Sequence, residues 1–529
     1  MADELVSVFE GTTSGLPPTK YSLDILTLAN NSGEQFDIRN LLMECKIFES
    51  ITSNFLLGEI AIQDATDFLG NAKIVGQETL RIRFRHHGAE HNDDIIDKIF
   101  RVYKVSGVGR AGHNTTMFKL NFCSPEFIHS KRVRISQAFV GSYADIAAKI
   151  AMDHLGLKPP AQDGANHMGG WEDADGSKLG YPKNTGPYWE NIVESTDTPG
   201  QVIIPNWTVN YAINWLCSKA QGKSAGAGIE DSFFFYETAN GGYKLESLST
   251  MLKRPYLNNA EFSFSPAAAP TSNWNEAGGS GKRILAYNMG STANVLEATI
   301  RGMFASKQTT IDNNNKNYKE RIFSYLENFY GSRKEGSGSE APNLTDISKD
   351  KHPLIWKQPD KVYNVDTPGG ADNKIYSSGT LNNTVMDKTF DHSLSDFPDA
   401  HTILASQNSF VHDSKGVIKS VSEKGIEEGT IQYRTAVGQL LKYHEMNLLI
   451  SSRTDIQTGQ MINLVIPPTR PAAREQRDSF LHSGQYLIKE IMWDLTPTSC
   501  KTNIKVMRDS YPNDIDTYEA DLSERIEEH

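Results

Sequence analysis

Two stretches of this chain, far apart in sequence, run through the same order of strand-like segments. The first is "IVGQETLRIRF", a loop, "KIFRVYKV", a turn and "TMFKLNFCSPE"; the second is "IQTGQMINLVIP", a loop, "QYLIKEIMWDL", a turn and "KTNIKVMRDSYP". Each opens with Gly-Gln ahead of a strand, at Gly76 and Gln77 and again at Gly459 and Gln460. Within "LRIRFR", Leu80, Ile82 and Phe84 alternate with Arg81, Arg83 and Arg85, the period-two pattern of a half-buried strand. An ordered set of strands that recurs predicts two copies of one small β-barrel in a single chain. The remaining sequence must then be arranged around and between those copies.

The chain has 529 residues, enough for several cores without disulfide support, and its 38% apolar and 22% charged content is that of an ordinary soluble protein. Residues 1–35 carry "TTSGLPPTK" and "NNSGEQ" and read as an extended arm. Residues 36–140 are short strand runs and read as the first barrel domain. An α/β insertion domain is expected over 141–283. It opens with the helix "SYADIAAKIAMDHLGL", which Ser142 or Asp145 can cap and Gly156 stops, and continues to the helix "NWTVNYAINWLCSKAQ" and a hairpin around "ANGG". Residues 156–200 within it read as a surface excursion. Residues 284–330 read as the start of the second barrel region, with a helix near "YKERIFSYLENFYG". A polar insertion over 331–425 follows, then a helix and the second barrel over 426–511, then an acidic tail over 512–529. The fold class expected is α+β.

Several motifs look like chemistry. His87, Glu90 and His91 spell H-x-x-E-H, a zinc-hydrolase signature that works only on a helix, where both histidines share one face. Here a strand precedes it and Gly88, Asn92, Asp93 and Asp94 surround it, so a loop is expected. Gly107, Gly109 and Gly112 form G-x-G-x-x-G, but a strand follows rather than the helix that a dinucleotide needs, which assigns them to a hairpin turn. "GKS" at Gly222–Ser224 lacks the glycine of a phosphate loop, because Cys217 stands in its place. His401, His412 and Asp413 show no metal spacing. Cys45, Cys123, Cys217 and Cys500 form no C-x-x-C pair, which excludes a cysteine zinc site and fits a reducing compartment. No catalytic, metal or cofactor residues are assigned.

"MADELVSVFEG" has no apolar core of a signal peptide, and no run of about 18 apolar residues could insert in a membrane. Net charge is −12, which disfavours tight nonspecific grip on nucleic acid. The stripe Arg81, Arg83 and Arg85 lies on one sheet face and needs water or acidic partners opposite it. It reads as a solvated face or, more sharply, as a contact with another subunit.

The β regions resemble the tube domains of central baseplate hub proteins from contractile-tailed bacteriophages. The likeness rests on Glu49–Ile51, Gly58–Asp64 and Gly76–Ile82 in "IFESITSNFLLGEIAIQDATDFLGNAKIVGQETLRIRF". It continues in "TDIQTGQMINLVIP", "SGQYLIKEIMWDL" and "IKVMRDSY", with a helical lead-in at Tyr433–Leu441. That resemblance implies two tube-like barrels per chain and a homotrimer whose six barrels ring a passage for double-stranded DNA. It implies a structural role rather than an enzyme, in a virion tail baseplate assembled in the host cytoplasm and used in genome ejection. The partners implied are a trimeric central spike, a hexameric tail tube or adaptor above, and surrounding wedge proteins. About twenty residues follow Met507 without a glycine-periodic repeat, so the spike is expected to be a separate polypeptide. A conduit is expected to carry acidic and neutral polar residues on its wall. The rival readings are the hub of a tailocin or secretion apparatus that passes no genome, and a zinc-dependent cell-wall hydrolase using His87 to His91.

Overall fold

Strict alternation of apolar and polar residues builds most of this molecule. In the computed structural model, the described residues are 19–87, 94–110, 112, 115–158, 187–192, 200–220, 232–252, 254, 261–264, 280–289, 294–303, 305–312, 317–324, 363–364, 374–375, 400–405, 410–412, 418–420, 426–443, 445–466 and 482–508. The first strands are β1 (Tyr21–Ala29), β2 (Gln35–Asp37), β3 (Leu42–Ser50), β4 (Leu57–Asp64), β5 (Thr79–His86), β6 (Ile95–Arg110) and β7 (Thr116–Cys123). An inserted region holds β8 (Arg134–Gly141), β9 (Trp189–Ile192), β10 (Gly200–Thr208), β11 (Phe233–Glu237) and β12 (Tyr243–Ser247). Next come β13 (Glu261–Phe264), β14 (Arg283–Asn288), β15 (Ala305–Asp312), β16 (Asn317–Ser324), β17 (Tyr363–Asn364), β18 (Lys374–Ile375), β19 (Ala400–Ala405), β20 (Phe410–His412) and β21 (Ile418–Ser420). The last four are β22 (Glu445–Ile450), β23 (Met461–Val465), β24 (Gly484–Leu495) and β25 (Cys500–Met507). With helices at Tyr143–Leu155, Val209–Lys219 and Ile426–Tyr443, the fold is α+β.

One sheet of thirteen strands holds both barrels. In its second half, β13, β23, β24, β25, β22 and β14 pair in turn, and β14 returns to β13, closing a six-stranded barrel. In its first half, β1, β5, β6, β7, β4 and β3 pair in the corresponding order. This first barrel stays open between β1 and β3 because the free edge of β3 is taken by β24. The halves also differ in one strand direction, since β1 runs antiparallel to β5 and β13 parallel to β23.

The correspondence extends to the irregularities. The register slips between Val102 and Lys104 where β6 meets β7, and between Ile488 and Glu490 where β24 meets β25. It slips again between Leu42 and Glu44 where β3 meets β4, and between Ile284 and Ala286 where β14 meets β22. Gly76 and Gly459 both take left-handed backbone, at φ 89° and 77°, which a side chain would strain. The residues that immediately precede β5 and β23, Glu78 and Gln460, accept the N–H groups of Val102 and Ile488 at 2.9 Å in both cases. Bulges are specific to a fold. Their recurrence at equivalent positions establishes a duplicated unit.

Inward residues of both halves merge into one apolar core, including Ile47, Ile60, Phe84, Phe100 and Phe122 with Leu448, Ile462, Ile491, Trp493 and Ile504. The inserted region has its own core of Ile146, Ile150, Ile213, Leu216, Phe235, Leu245 and Trp189. Ser142 caps the helix Tyr143–Leu155 by accepting from the Asp145 N–H at 3.2 Å, and Gly156 ends it at φ 72°.

Four boundaries differ from those the sequence suggested. Residues Tyr21–Ala29 of the supposed arm are β1, held along its length by β5. The first barrel ends at Cys123, because Ile135 and Phe139 turn into the inserted core. Glu261–Phe264 belongs to the second barrel, not to the insertion. Of the stretch "YKERIFSYLENFYG", where a helix was expected, residues 318–324 belong to β16, paired over its whole length with β15, and residues 325–331 lie outside the described residues. Tertiary pairing overrides a helix-like spacing of Tyr318, Ile322 and Phe323 there.

Candidate assembly site where the two barrels meet

The two barrels join edge to edge. Cys45 through Ser50 of β3 lie opposite Leu495 through Glu490 of β24, with Lys46 facing Asp494. Strand β24 reaches this far because it changes partners along one edge: Gly484–Leu487 pairs with β23 and Glu490–Leu495 with β3, while β25 occupies the other edge. Strand β6 is built likewise. Ile95–Arg101 pairs with β5, and beyond Arg101 its named ladder is with β7 alone.

A wedge locks this junction. The turn between β11 and β12 tucks against both barrels and is gripped by buried carboxylates. Glu49 on β3 accepts hydrogen bonds from the Thr458 N–H at 2.7 Å, the Thr458 hydroxyl at 2.8 Å and the Ala239 N–H at 2.7 Å. One side chain thereby ties the first barrel, the second barrel and the wedge. Burial pushes its carboxyl pKa up, opposed by those three hydrogen bonds. Glu237 at the end of β11 accepts from Lys98 of β6 at 3.2 Å, from the Leu56 N–H at 3.2 Å, and from the Ser124 and Tyr243 hydroxyls. Lys98 also donates to the Gly241 carbonyl at 2.9 Å. Lys244 of β12 reaches the other way, to Gln457 at 2.7 Å, and pairs with Glu190 at 3.1 Å.

Glu126 completes the cluster with a carboxyl oxygen 3.1 Å from the same Tyr243 hydroxyl, whose single proton one carboxylate accepts at a time. Burial, then the nearby charge of Glu237, pushes the Glu126 carboxyl up to about 7. Both carboxylates and burial also drive the Tyr243 hydroxyl well above its ordinary range. The arrangement is one of fixed, mutually satisfied polar groups, which positions elements rather than exposing a reactive atom to substrate.

The residues singled out in the sequence fall elsewhere. Arg81 is held on both nitrogens by Asp97 of β6, at 3.1 and 2.9 Å. Arg83 lies 3.9 Å from Asp24 and from Asp97, and Arg85 lies 3.6 Å from Asp24. Acidic partners for the stripe are thus present in the same chain, while the Arg85 side chain keeps 48% of its exposure.

Strand β5 runs through His86 and His87 forms a turn, whereas Glu90 and His91 lie outside the described residues. His86 is buried against the Thr454 hydroxyl at 2.6 Å, and burial lowers its pKa to about 4. Among the described residues, no group of three or more His, Cys, Asp or Glu could hold a metal. Gly107 has φ 64° but sits at a bulge in the β6–β7 hairpin, not at its tip; Gly222–Ser224 lie outside the described residues. His401 contacts the Thr309 hydroxyl at 2.8 Å, and Asp413 is not among the described residues. All four cysteines are buried and free. No described helix is long and apolar enough to cross a membrane.

Sequence reasoning did not single out Glu49 and Lys98 as a joint, although a signal was there. Cys45, Ile47 and Glu49 are inward positions of β3, and Ile96, Lys98 and Phe100 are inward positions of β6. A charged residue in a core register announces a buried partner.

Fold and junction together define a scaffold with a duplicated barrel. No family model matches the sequence, and no curated protein does. Its structural neighbours are phage tail proteins and type VI secretion proteins. The tail protein from Neisseria meningitidis MC58 aligns over 93% of this chain and 97% of its own, at 9% identity and a TM-score of 0.43. The 43 kDa tail protein of prophage MuSo2 from Shewanella oneidensis aligns over 91% and 97%, at 9% identity and 0.43. The E. coli c3393 protein, described as a component of the type VI secretion system with similarity to T4 bacteriophage tail proteins gp27 and gp5, aligns over 94% and 78%, at 7% identity and 0.36.

Proposed function

We propose that this chain is a non-catalytic structural hub of a contractile-tail baseplate. Three copies form a ring of six barrels that adapts a six-fold tube to a three-fold spike. The observation that carries this reading is the strand-for-strand duplication with two shared bulges: two equivalent units per chain are what a three-fold assembly needs to present six-fold symmetry. The order of tube-domain motifs in the sequence supports the same role.

The solvent-facing side of the shared sheet is the proposed wall of the passage. Three of its lysines lie beside acids: Lys46 beside Glu44 at 2.8 Å, Lys119 beside Glu59 at 3.4 Å, and Lys505 beside Glu445 at 2.9 Å. Paired lysines release few counterions to phosphate, so duplex DNA can slide without being gripped. The wall proposed is thus acidic and neutral polar, with these lysines held in ion pairs. The partners proposed are a trimeric spike, a tube or adaptor protein, wedge proteins and DNA in transit, with the Arg81, Arg83 and Arg85 face at a subunit contact. Electron microscopy of the purified protein tests this: a ring with three-fold and approximate six-fold symmetry is expected, and a particle without either would overturn it.

A further inference from the structure

We propose that the ring is closed by one specific pair of sheet edges, the outer edge of β6 beyond Val102 in one chain and the outer edge of β14 in the next. The inference rests on the self-association reading above and adds the contact that produces it.

The duplication supplies the argument. By their ladder partners, β3 corresponds to β14 and β24 to β6. Within the chain, the β3 edge of the first barrel is joined to the Glu490–Leu495 edge of β24 in the second. The same step applied once more would join the β14 edge of the second barrel to the β6 edge of another first barrel. Among the described residues, no further strand pairs with either edge. Strand β14 uses Arg283 and Ile284 to pair with β13, and Ala286–Asn288 have no ladder partner on that side among the described residues. Strand β6 pairs with β5 only as far as Arg101, and the Val102 N–H still donates to the Glu78 carbonyl, so the free edge begins after Val102.

An open edge of this length is a template for another strand, and a chain must cover it or guard it with charge. Lys104 and Arg110 are exposed along it, as are Tyr103 at 47% and Val108 at 56%. A second copy of this chain is the fitting occupant because it carries the complementary edge, in the register that the intramolecular junction already displays. Such a head-to-tail contact uses different surfaces on its two sides, and it yields a closed ring when its rotation returns on itself.

Register follows from the equivalent partners on β7 and β25, counted through one further slip in β6, between Ser106 and Gly109, that β24 lacks. Asp494 pairs with Lys501 on β25, and the equivalent position on β6 is Gly109, which pairs with Met117. Lys46 pairs with Glu59, and its equivalent on β14 is Asn288, which pairs with Asn447. The Lys46–Asp494 pairing inside the chain therefore becomes Asn288 opposite Gly109 of the next chain. The Arg81, Arg83 and Arg85 stripe on β5 flanks this contact, as β23 flanks the junction inside the chain.

The test is site-specific cross-linking. Gly109→Cys and Asn288→Cys are made as separate proteins; a Cβ at Gly109 meets nothing nearer than 4.0 Å, Asn288 is exposed, and the native thiols are buried. Opposed residues on paired strands have Cβ atoms roughly 5 Å apart, within reach of a short bismaleimide. Mixed together and allowed to assemble, the two variants should give a covalent two-chain species, and neither should give it alone. The double variant should ladder to three chains, and hydrogen exchange at β6 amides beyond Val102 should slow on assembly. Trimers that form without any cross-link and without slowed exchange would overturn the edge proposal while leaving the trimeric hub intact. Unmodified protein that never associates would overturn both.

Discussion

Removing the Glu49 side chain should loosen both barrels and the wedge together. Glu49→Ala leaves two buried backbone N–H groups, those of Thr458 and Ala239, without their acceptor. Each such group costs about 1–3 kcal/mol, so about 2–6 kcal/mol is lost in all. Part is recovered because a buried carboxylate, whose raised pKa records its desolvation, no longer has to be accommodated. The expected net loss is about 2–4 kcal/mol. Global unfolding of a multidomain chain is a poor gauge of this. Hydrogen exchange at the Thr458 and Ala239 amides reports it directly and should accelerate about 30- to 900-fold, at a factor of ten per about 1.4 kcal/mol. Glu44→Ala, which breaks an ion pair with Lys46 on the same strand's outer face, is the control and should change stability by less than about 0.5 kcal/mol. If Glu49→Ala leaves both amides as protected as in the unmodified chain, the three-way joint is not what holds the barrels and wedge together.

Further outcomes follow from the same geometry. The Glu126 pKa is raised in the folded chain, so the neutral form is favoured there and stability should fall as pH rises from about 4.5 through about 7; Glu126→Gln should abolish that slope and stabilise the protein at pH 8 by about 1–3 kcal/mol, read by denaturant titration. Gly459→Ala should lower the melting temperature, because its Cβ would stand 2.2 Å from the Tyr236 hydroxyl at a backbone φ of 77°, and a loss of at least about 2 kcal/mol is expected. Fluorescence anisotropy with a short duplex at about 150 mM salt should show no binding tighter than the ~10⁻⁴ to 10⁻⁶ M of nonspecific contacts, and sub-micromolar affinity would refute a passive passage.

Much of the fold was legible because burial on one face writes period two into sequence. "LRIRFR" and "QYLIKEIMWDL" could scarcely be anything but strands, and their shared order revealed the duplication. Other elements were hidden for physical reasons. Strand β13 is four residues long and lies in a stretch rich in Asn, Ser, Pro and Ala, so it offers no period to detect. Strand β16 shows helix-like spacing that pairing with β15 overrides. The assembly site was less legible still. Glu237 gathers Lys98, Leu56, Ser124 and Tyr243 from separate elements, a convergence that only the folded chain can display. The arginine stripe was visible, but the aspartates opposite it come from β1 and β6, and the first of these strands had read as an arm.

Native mass spectrometry of the full chain at micromolar concentration, alone and with its spike, tests the central claim most directly. Three chains of 58.8 kDa should appear as one species near 176 kDa when alone, or as that mass plus the spike's when the trimer forms on meeting it. A strictly monomeric 58.8 kDa species under both conditions, or a stable dimer in place of a trimer, would contradict a ring built from six equivalent barrels.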